Sequence, residues 1–321
     1  MRRLLVLSFL AAWACSNAGS DLGPNPAQTK PVNVLVFLDR DGSGSLGAGD
    51  TVYAGARVSL RPSAGGQIVQ TVTTKSQGDE NFTVPFGEYS VSVDSAGLGD
   101  SLAVAAVNPA RLIIRFEDDI LTITVRLSYP EMPIRAARLS PVGRRLMIRG
   151  LVLAGVQSFR DTTSHVADTS SQIRLTRVSL RGGITGNNPG DSVTVLGTVS
   201  SRAGQPTIDQ AIITFLGARP APVPVSLATA VAATAAGGIL DAGLVQITNA
   251  IITDTATVAP DYHVVGSDGS GPITVVMDPL GGFNRAAFVP GKVMSVRGVL
   301  VPDGTGQWRL KPRNPGDAAV F

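Results

Sequence analysis

Side chains that carry oxygen are concentrated in one short segment, residues 39–50, with the sequence DRDGSGSLGAGD. Carboxylates or hydroxyls stand at the first, third, fifth and twelfth positions, with a glycine at the sixth and a leucine at the eighth. A hard cation takes about six to eight oxygen ligands, and this spacing folds several oxygens around one centre. The pattern predicts a Ca²⁺ loop with ligands from Asp39, Asp41, Ser43, Ser45 and Asp50.

Two features of this loop lower the expected calcium affinity. The fifth position is Ser43, which is uncharged, and the twelfth is Asp50, which reaches less far than a glutamate. A predicted strand, residues 32–38, enters the loop, so helices do not flank it. The alternative is a solvated Asp/Gly turn without a metal. Residues 31–100 carry eight acidic and four basic side chains, a net charge of −4 that suits cations rather than phosphates.

The first residues have the pattern of an export signal. Arg2 and Arg3 precede a short apolar run at residues 4–10 and small residues up to Ala14, which predicts a signal peptide over residues 1–14. Cys15, the single cysteine, follows at once. This arrangement resembles a bacterial lipobox, and the resemblance implies lipidation of Cys15. The alternative is ordinary cleavage after Ala14.

The expected partner of a lipid on Cys15 is a membrane. We therefore expect the protein to be exported and lipid-anchored in the bacterial cell envelope, at the outer membrane or the cell surface. The small, polar residues 15–30 are predicted to be a tether.

Other chemistry is poorly represented in the chain. Two histidines and one cysteine in 321 residues exclude most zinc sites, iron–sulfur sites and disulfide scaffolds. Residues 99–102 (GDSL) match the nucleophile block of one lipase family, but a histidine base with a carboxylate at suitable spacing is lacking. His165 and His263 occupy matching places in a repeat and are expected to be structural. We therefore predict that the protein is not an enzyme.

The elements that must position the loop are strands. From residue 32 onward, runs of Val, Ile, Leu and Thr alternate with Gly, Pro, Asp and Asn clusters about every ten residues, which predicts an all-β fold of sandwiches or barrels. The only helix expected lies in residues 226–236, after a proline-rich stretch.

A repeat of about 100 residues relates two parts of the chain, roughly residues 140–220 and 238–321. Residues 142–152, 189–199 and 290–300 share a turn glycine, alternating apolar residues and an interior glycine. The interior glycines, Gly150, Gly197 and Gly298, are expected where a strongly coiled strand bends, a place where the absence of a Cβ is useful.

Two family resemblances follow from these segments. Residues 36–44 (VFLDRDGSG), 54–60 (AGARVSL) and 82–93 (FTVPFGEYSVSV) resemble the B-type domain of serine–aspartate-repeat surface proteins and the prealbumin-like sandwiches. That likeness implies a calcium-stiffened β-sandwich over residues 31–128. Residues 133–138 (PIRAAR), 189–197 (PGDSVTVLG) and 308–313 (WRLKPR) resemble tandem OB-like domains of exported bacterial proteins, which implies one barrel in residues 129–220 and a linker helix plus a second barrel in residues 221–321.

Basic residues suggest where a ligand would lie. Residues 126–181 contain ten arginines and three acidic residues, a net charge of +7 that is compatible with a phosphate backbone or another anionic polymer. Aromatic residues for base stacking are few in this segment, so nucleic acid is not the favoured partner. The arginines predicted to contact a ligand are Arg144, Arg145, Arg149, Arg174 and Arg177.

The sequence as a whole therefore predicts a non-enzymatic, surface-tethered adhesion or binding lipoprotein that presents OB-like domains to an extracellular or envelope ligand. The alternative function is an accessory nucleic-acid- or glycan-binding module of extracellular processing machinery.

Overall fold

The computed structural model describes residues 28–99, 101–181 and 187–321. Within them the chain is all-β, as predicted, and forms a two-sheet sandwich followed by two barrels. The predicted signal peptide, Cys15 and most of the tether lie outside the described residues. The first strand begins at Thr29, so the last two residues of the predicted tether lie in that strand. Among the described residues, no helix combines the length and apolar character that crossing a membrane requires.

The sandwich is built from nine strands. They are β1 (Thr29–Leu38), β2 (Thr51–Val52), β3 (Arg57–Pro62), β4 (Gln70–Thr73), β5 (Asp79–Pro85), β6 (Gly87–Val93), β7 (Ala103–Asn108), β8 (Arg111–Ile114) and β9 (Leu121–Ser128). One sheet has the order β2-β1-β9-β7, with β5 also paired to β1, and the other has the order β4-β3-β6-β8. β1 and β9 run parallel in the centre of the first sheet.

Alternation along the strands builds the sandwich core. Val32, Val34 and Val36 of β1 are fully buried, while Asn33 and Leu35 between them remain partly exposed. Val58 and Leu60 of β3 belong to the same cluster from the opposite sheet. Successive side chains of a strand point to opposite faces, so a period of two in the sequence is enough to place these residues between the sheets.

Each barrel is a closed ring of five strands. The first contains β10 (Arg145–Ala154), β11 (Ser164–Ala167), β12 (Gln172–Leu175), β14 (Asp191–Arg202) and β15 (Gln205–Ala218), with β13 (Ser179–Leu180) added to β15. The ring runs β10-β11-β12-β15-β14 and back to β10, and β12 pairs parallel to β15.

The second barrel repeats this connectivity. It contains β17 (Leu244–Val258), β18 (Asp261–Ser267), β19 (Pro272–Met277), β20 (Val293–Pro302) and β21 (Trp308–Lys311), flanked by β16 (Val225–Ser226) and β22 (Ala318–Val320). The ring runs β17-β18-β19-β21-β20 and back to β17. Both rings have the five-stranded Greek-key arrangement of an OB fold.

A short helix precedes each barrel: α1 (Ile134–Arg138) and α2 (Thr229–Ala233). α2 lies where a helix was predicted, whereas the expectation of a single helix is wrong because α1 exists. Asp168 Oδ2 accepts the first N–H of α1 at 2.8 Å, and Asp268 Oδ2 accepts that of α2 at 3.0 Å. Ser170 and Ser270 hydroxyls accept the next N–H of each helix at 3.1 Å. The two barrels therefore repeat the helix cap as well as the strands. One-turn 3-10 helices also occur at Ala96–Leu98, Pro279–Gly281, Arg285–Ala287 and Pro315–Asp317.

The interior glycines occupy positions without room for a side chain. A Cβ on Gly150 would lie 2.6 Å from the carbonyl oxygen of Ala167, and one on Gly298 would lie 2.4 Å from that of Lys311. A Cβ on Gly197 would lie 2.3 Å from a side-chain methyl carbon of β15. At Gly150 and Gly298, backbone from a neighbouring strand thus approaches closer than any other residue type permits.

The two barrels pack directly on each other. Leu153 and Phe159 of the first barrel form a buried cluster with Leu244 and Val299 of the second. Around this cluster, the backbone N–H of Arg160 donates to Asp278 Oδ2 at 3.1 Å, across the interface. Apolar contact and hydrogen bonds together set the orientation of the two rings.

Candidate functional site

The acidic loop brings its carboxylates together. Oxygens of Asp39, Asp41 and Asp50 all lie within 4.8 Å of one another. Asp39 follows β1 directly and is 1% exposed, and its two oxygens accept the backbone N–H groups of Ser43 and Gly44, each at 2.9 Å. Asp41 accepts the same Ser43 N–H at 2.8 Å. The turn of the backbone therefore brings the three carboxylates to one centre.

The two predicted serine ligands contact each other within the loop. The Ser43 hydroxyl donates to the backbone carbonyl of Ser45 at 2.9 Å. Hydrogen bonds from Ser43, together with the charge of Arg181, lower the pKa of Asp41, so this carboxyl is charged at neutral pH.

Arginines from outside the loop contact its acids. Arg126 of β9 donates to Asp39 Oδ2 at 3.1 Å, and Arg181 Nη2 lies 3.4 Å from Asp41 Oδ1. Arg145 of β10 donates to a backbone carbonyl of the loop at 3.0 Å. Arg145 and Arg181 belong to the first barrel, so the loop lies at the junction of sandwich and barrel. A cation at this centre competes with two guanidinium groups for carboxylate oxygens.

The five arginines predicted as ligand contacts do not share one surface. Arg149 makes a two-pronged pair with Glu131, at 3.1 and 3.2 Å. Arg177 pairs with Asp209, with 2.7 Å between Nε and Oδ1, and this pairing lowers the pKa of Asp209 to about 2. Arg174 of β12 faces the cavity between the two barrels, whereas Arg149 lines a different cavity.

Two of the five lie near the start of β10. The guanidinium of Arg145 stacks 5.3 Å from the centre of the Tyr129 ring, in addition to its contact with the acidic loop. Arg144 directly precedes β10 and is partly exposed.

The cavity beside Arg174 has a volume of about 230 Å³ and lies between the two barrels. From the first barrel it is lined by Arg174, by Asp161 and Thr163 of the segment between β10 and β11, and by Arg202 and Ala203 at the β14–β15 turn. OB folds bind ligands with their second and third strands and with the loops after the first and fourth strands. The third strand and both of these loops of the first barrel meet at the cavity.

The second barrel closes the opposite wall. Its lining residues are Asp261, Val276, Val301, Pro302, Arg309 and Lys311. Four basic and two acidic side chains therefore face the cavity. Sequence reasoning missed all of the second-barrel residues and Arg202, although the matching Gly-Gln pairs at residues 204–205 and 306–307 located the turns that carry some of them.

His165 lies directly behind Arg174. The two residues are cross-strand partners of β11 and β12, and their neighbours Val166 and Ile173 point into the barrel core. His165 and Arg174 therefore share the outer face, which the second barrel covers. The His165 ring packs edge-on against Phe159 at 5.9 Å and has no exposed surface.

Burial dominates the electrostatics of this pair. It lowers the pKa of His165 to about 3, with a further contribution from the charge of Arg174, so the imidazole is neutral at physiological pH. Burial and the charge of Arg202 also lower the pKa of Arg174, while Asp241 and Asp161 oppose that effect. Arginine remains charged even so, because its ordinary pKa lies above 12.

Neither histidine is arranged as a catalytic base within the described part of the chain. Both ring nitrogens of His165 lack a hydrogen-bond partner there. His263 lies on β18 opposite Val276, and partial burial together with Arg309 lowers its pKa. The GDSL segment includes residue 100, which lies outside the described residues. A nucleophile–base pair, the basis of serine hydrolysis, is not formed by either imidazole among the described residues.

No family model and no curated protein matches the chain. Solved structures that it resembles include the Ifi202 HINa domain in complex with 20-bp double-stranded DNA, with 13% identity and a TM-score of 0.26 over 56% of this chain and 96% of that one. Fission yeast Pot1 with single-stranded DNA shows 14% identity and a TM-score of 0.29 over 59% and 87% of the two chains. The Bacillus anthracis TIE protein shows 10% identity and a TM-score of 0.24 over 59% and 34%. These likenesses do not assign a function.

Proposed function

We propose that this chain is a non-enzymatic binding protein of the bacterial cell envelope whose tandem barrels hold an anionic polymer. The observation that carries the proposal is the convergence of the OB-type binding elements of the first barrel on a cavity lined by four basic side chains. We propose further that the N-terminal sandwich, stiffened by calcium, presents these barrels to the polymer, so that the protein acts in adhesion.

The polymer is held through its charges rather than through stacked bases. Arginine forks match phosphate and sulfate oxygens in geometry, and such contacts need no particular base or sugar. Phe, Tyr and Trp are absent from the residues described as lining the cavity. Base stacking on aromatic rings, on which many single-strand binders depend, therefore has no platform there.

Binding to heparin, double-stranded DNA and neutral dextran at several salt concentrations tests this proposal. Heparin or DNA should bind, with a slope of log affinity against log salt of about −1 or steeper, because each contact with a phosphate contributes about −0.9. Arg309→Gln should weaken binding, and Arg177→Gln, which removes a side chain paired with Asp209 outside the cavity, should not. Salt-independent binding, or equal binding of dextran, would contradict the proposal.

The absence of an enzymatic activity is part of the proposal. It is supported by the buried, neutral state of His165 and by the lack of a hydrogen-bond partner for its nitrogens among the described residues. A catalytic base must reach the proton that it removes. Hydrolysis of a panel of esters and glycosides by the purified protein, if abolished by His165→Leu, would refute this view.

Calcium binding at residues 39–50 is a second proposal, supported by the convergence of three carboxylates. Calcium should raise the thermal midpoint of the full chain, and the double variant Asp39→Asn plus Asp41→Asn should lose that shift. Asp94→Asn removes an exposed acid paired with Arg57 and serves as the control. An equal calcium shift in the double variant would exclude this loop as the site.

Lipid anchoring at Cys15 also stays a proposal, supported by the residues that surround this cysteine. Metabolic labelling with a fatty acid should mark the wild-type protein in membranes and fail to mark Cys15→Ser. A labelled Cys15→Ser protein would show that the lipid, if present, is attached elsewhere.

A further inference from the structure

We propose that the cavity between the barrels is a site for one tetrahedral oxyanion, a phosphate or a sulfate group, with Arg174 as its principal donor. The inference rests on the proposed function, because it names the chemical group of the anionic polymer that enters the cavity. It depends on the state of one buried guanidinium and of the acids around it.

Arg174 is a buried cation without a counter-ion in the part of the chain that the structure describes. Its side chain lines the cavity, and the residue is only 7% exposed. Its Nε has no hydrogen-bond partner, and no ion pair joins Arg174 to any residue in the described ranges. Removal of a charge from water is unfavourable unless the charge is paired, so the free protein leaves an interaction unmade at this position. An oxyanion bound in the cavity would pair with the Arg174 guanidinium and supply this missing interaction.

The acids nearest to Arg174 are engaged with other cations. Asp161 lies 3.9 Å from Lys311 Nζ and accepts the Thr163 hydroxyl at 2.8 Å. The buried Asp241 accepts Arg138 at 3.2 Å and the indole N–H of Trp308 at 2.8 Å. Neither acid forms an ion pair with Arg174 itself. The positive charge of Arg174 is therefore directed at the cavity.

A second cation strengthens the site from the exposed side. Arg202, at the β14–β15 turn, lines the cavity and has no ion pair among the described residues. Two guanidinium groups with free donors match the several oxygens of a phosphate or sulfate better than the single negative charge of a carboxylate. Asp261, on the far wall, limits the cavity to a group whose charge is concentrated near Arg174.

The volume of the cavity fits this ligand. A water molecule occupies about 30 Å³ in the liquid, so 230 Å³ holds a tetrahedral oxyanion together with a few waters or part of an attached sugar. The neutral His165 packs behind Arg174 and adds no charge to the site. The cavity therefore accepts one group and not a run of several residues of a polymer.

Isothermal titration of the full chain with inorganic phosphate and inorganic sulfate, at constant ionic strength in sodium chloride, tests the assignment. We expect saturable binding that Arg174→Gln weakens by at least about tenfold, as loss of a charged hydrogen bond implies. Arg177→Gln, at an exposed pair outside the cavity, should leave the affinity unchanged. No saturable binding, or an unchanged affinity in a folded Arg174→Gln protein, would overturn the inference.

Two further measurements decide the matter if Arg174→Gln fails to fold. Arg202→Gln changes an exposed residue and should weaken binding several-fold. The chain has two histidines, so the imidazole signals of His165 can be followed by NMR during a phosphate titration. They should shift more than those of His263. An unchanged affinity in Arg202→Gln, or an unmoved His165 signal at saturation, would overturn the site.

Two ligands distinguish whether the oxyanion comes from a sulfated glycan or from a nucleic acid. A sulfated heparin disaccharide and a 5′-phosphorylated oligonucleotide are compared with their unsulfated and unphosphorylated forms, and the preferred pair identifies the polymer. Polymer binding without oxyanion binding would refute this inference and leave the proposed function standing. Oxyanion binding that depends on Arg174 without binding of any polymer would support the site and refute the proposed function.

Discussion

Moderate acid should destabilise the first barrel through a single side chain, His165. An unfolded histidine has a pKa of 6.5, whereas burial lowers the pKa of His165 to about 3 in the folded chain. Between these values the unfolded state binds a proton that the folded state does not bind. The stability that comes from the neutral imidazole is therefore fully present above pH 6.5 and is lost progressively as the pH falls toward 3.

The size of this effect follows from the shift. Each pKa unit corresponds to about 1.4 kcal/mol, so at pH 5, about 1.5 units below the unfolded value, the folded barrel should have lost about 2 kcal/mol. His165→Leu removes the titrating group and leaves no polar nitrogen buried without a partner. Its stability at pH 7.5 should lie within about 1 kcal/mol of the wild type, because the two side chains are similar in volume.

Native-state hydrogen exchange on peptides of β11 and β12 measures the local free energy of opening at pH 7.5 and pH 5. Between pH 7.5 and pH 5, the free energy of opening should fall by about 2 kcal/mol more in the wild type than in His165→Leu. His263→Gln is the matched control, since His263 is only partly buried and should leave most of the pH dependence in place. An equal loss in wild type and His165→Leu would refute the reasoning, because the buried imidazole would then be protonated in the folded state or exposed.

Two further predictions concern the second barrel. Gly298→Ala places a methyl group 2.4 Å from the Lys311 carbonyl oxygen, so the strands must separate. Urea unfolding followed by fluorescence should show that the free energy of unfolding falls by about 1–3 kcal/mol. An unchanged free energy of unfolding would mean that the strands move apart freely. Asp317→Asn leaves Arg297 and Arg313 without the fully buried carboxylate that both contact. In the same assay, the free energy of unfolding should fall by about 3–5 kcal/mol. A decrease below about 1 kcal/mol would show that solvent screens these ion pairs.

The helix before the first barrel shows where sequence reasoning stops. α1, like α2, has only five residues, which are too few for an apolar period to appear in the sequence, and α1 lacks the alanine-rich surroundings that indicated α2. Its first N–H group is capped by Asp168, which lies 34 residues further along the chain. The same cap recurs at Asp268, and the 100-residue spacing of the two acids is the signal that predicts α1 from α2.

The clustering of the three acids in the loop could be predicted from the loop sequence alone. Asp39, Asp41 and Asp50 lie within twelve residues, and a glycine-rich turn can bring such close neighbours together whatever surrounds them. Their actual partners could not be derived in this way. Arg126 and Arg181 reach the acids from 87 and 140 positions away, so only the packing of the sandwich on the barrel brings them there.

Sequence alone determined the properties that depend on near neighbours: an all-strand architecture from alternation, a duplicated unit from its repeated motif, and glycines at Gly150, Gly197 and Gly298 where strands crowd. Tertiary structure decided which charges remain free. Arg174 stood in the sequence as one of ten arginines in its segment, and it differs from Arg149 or Arg177 only in what the fold places beside it. Burial and pairing are set by the docking of two barrels, because an electrostatic field depends on distances in space and not on positions along a chain.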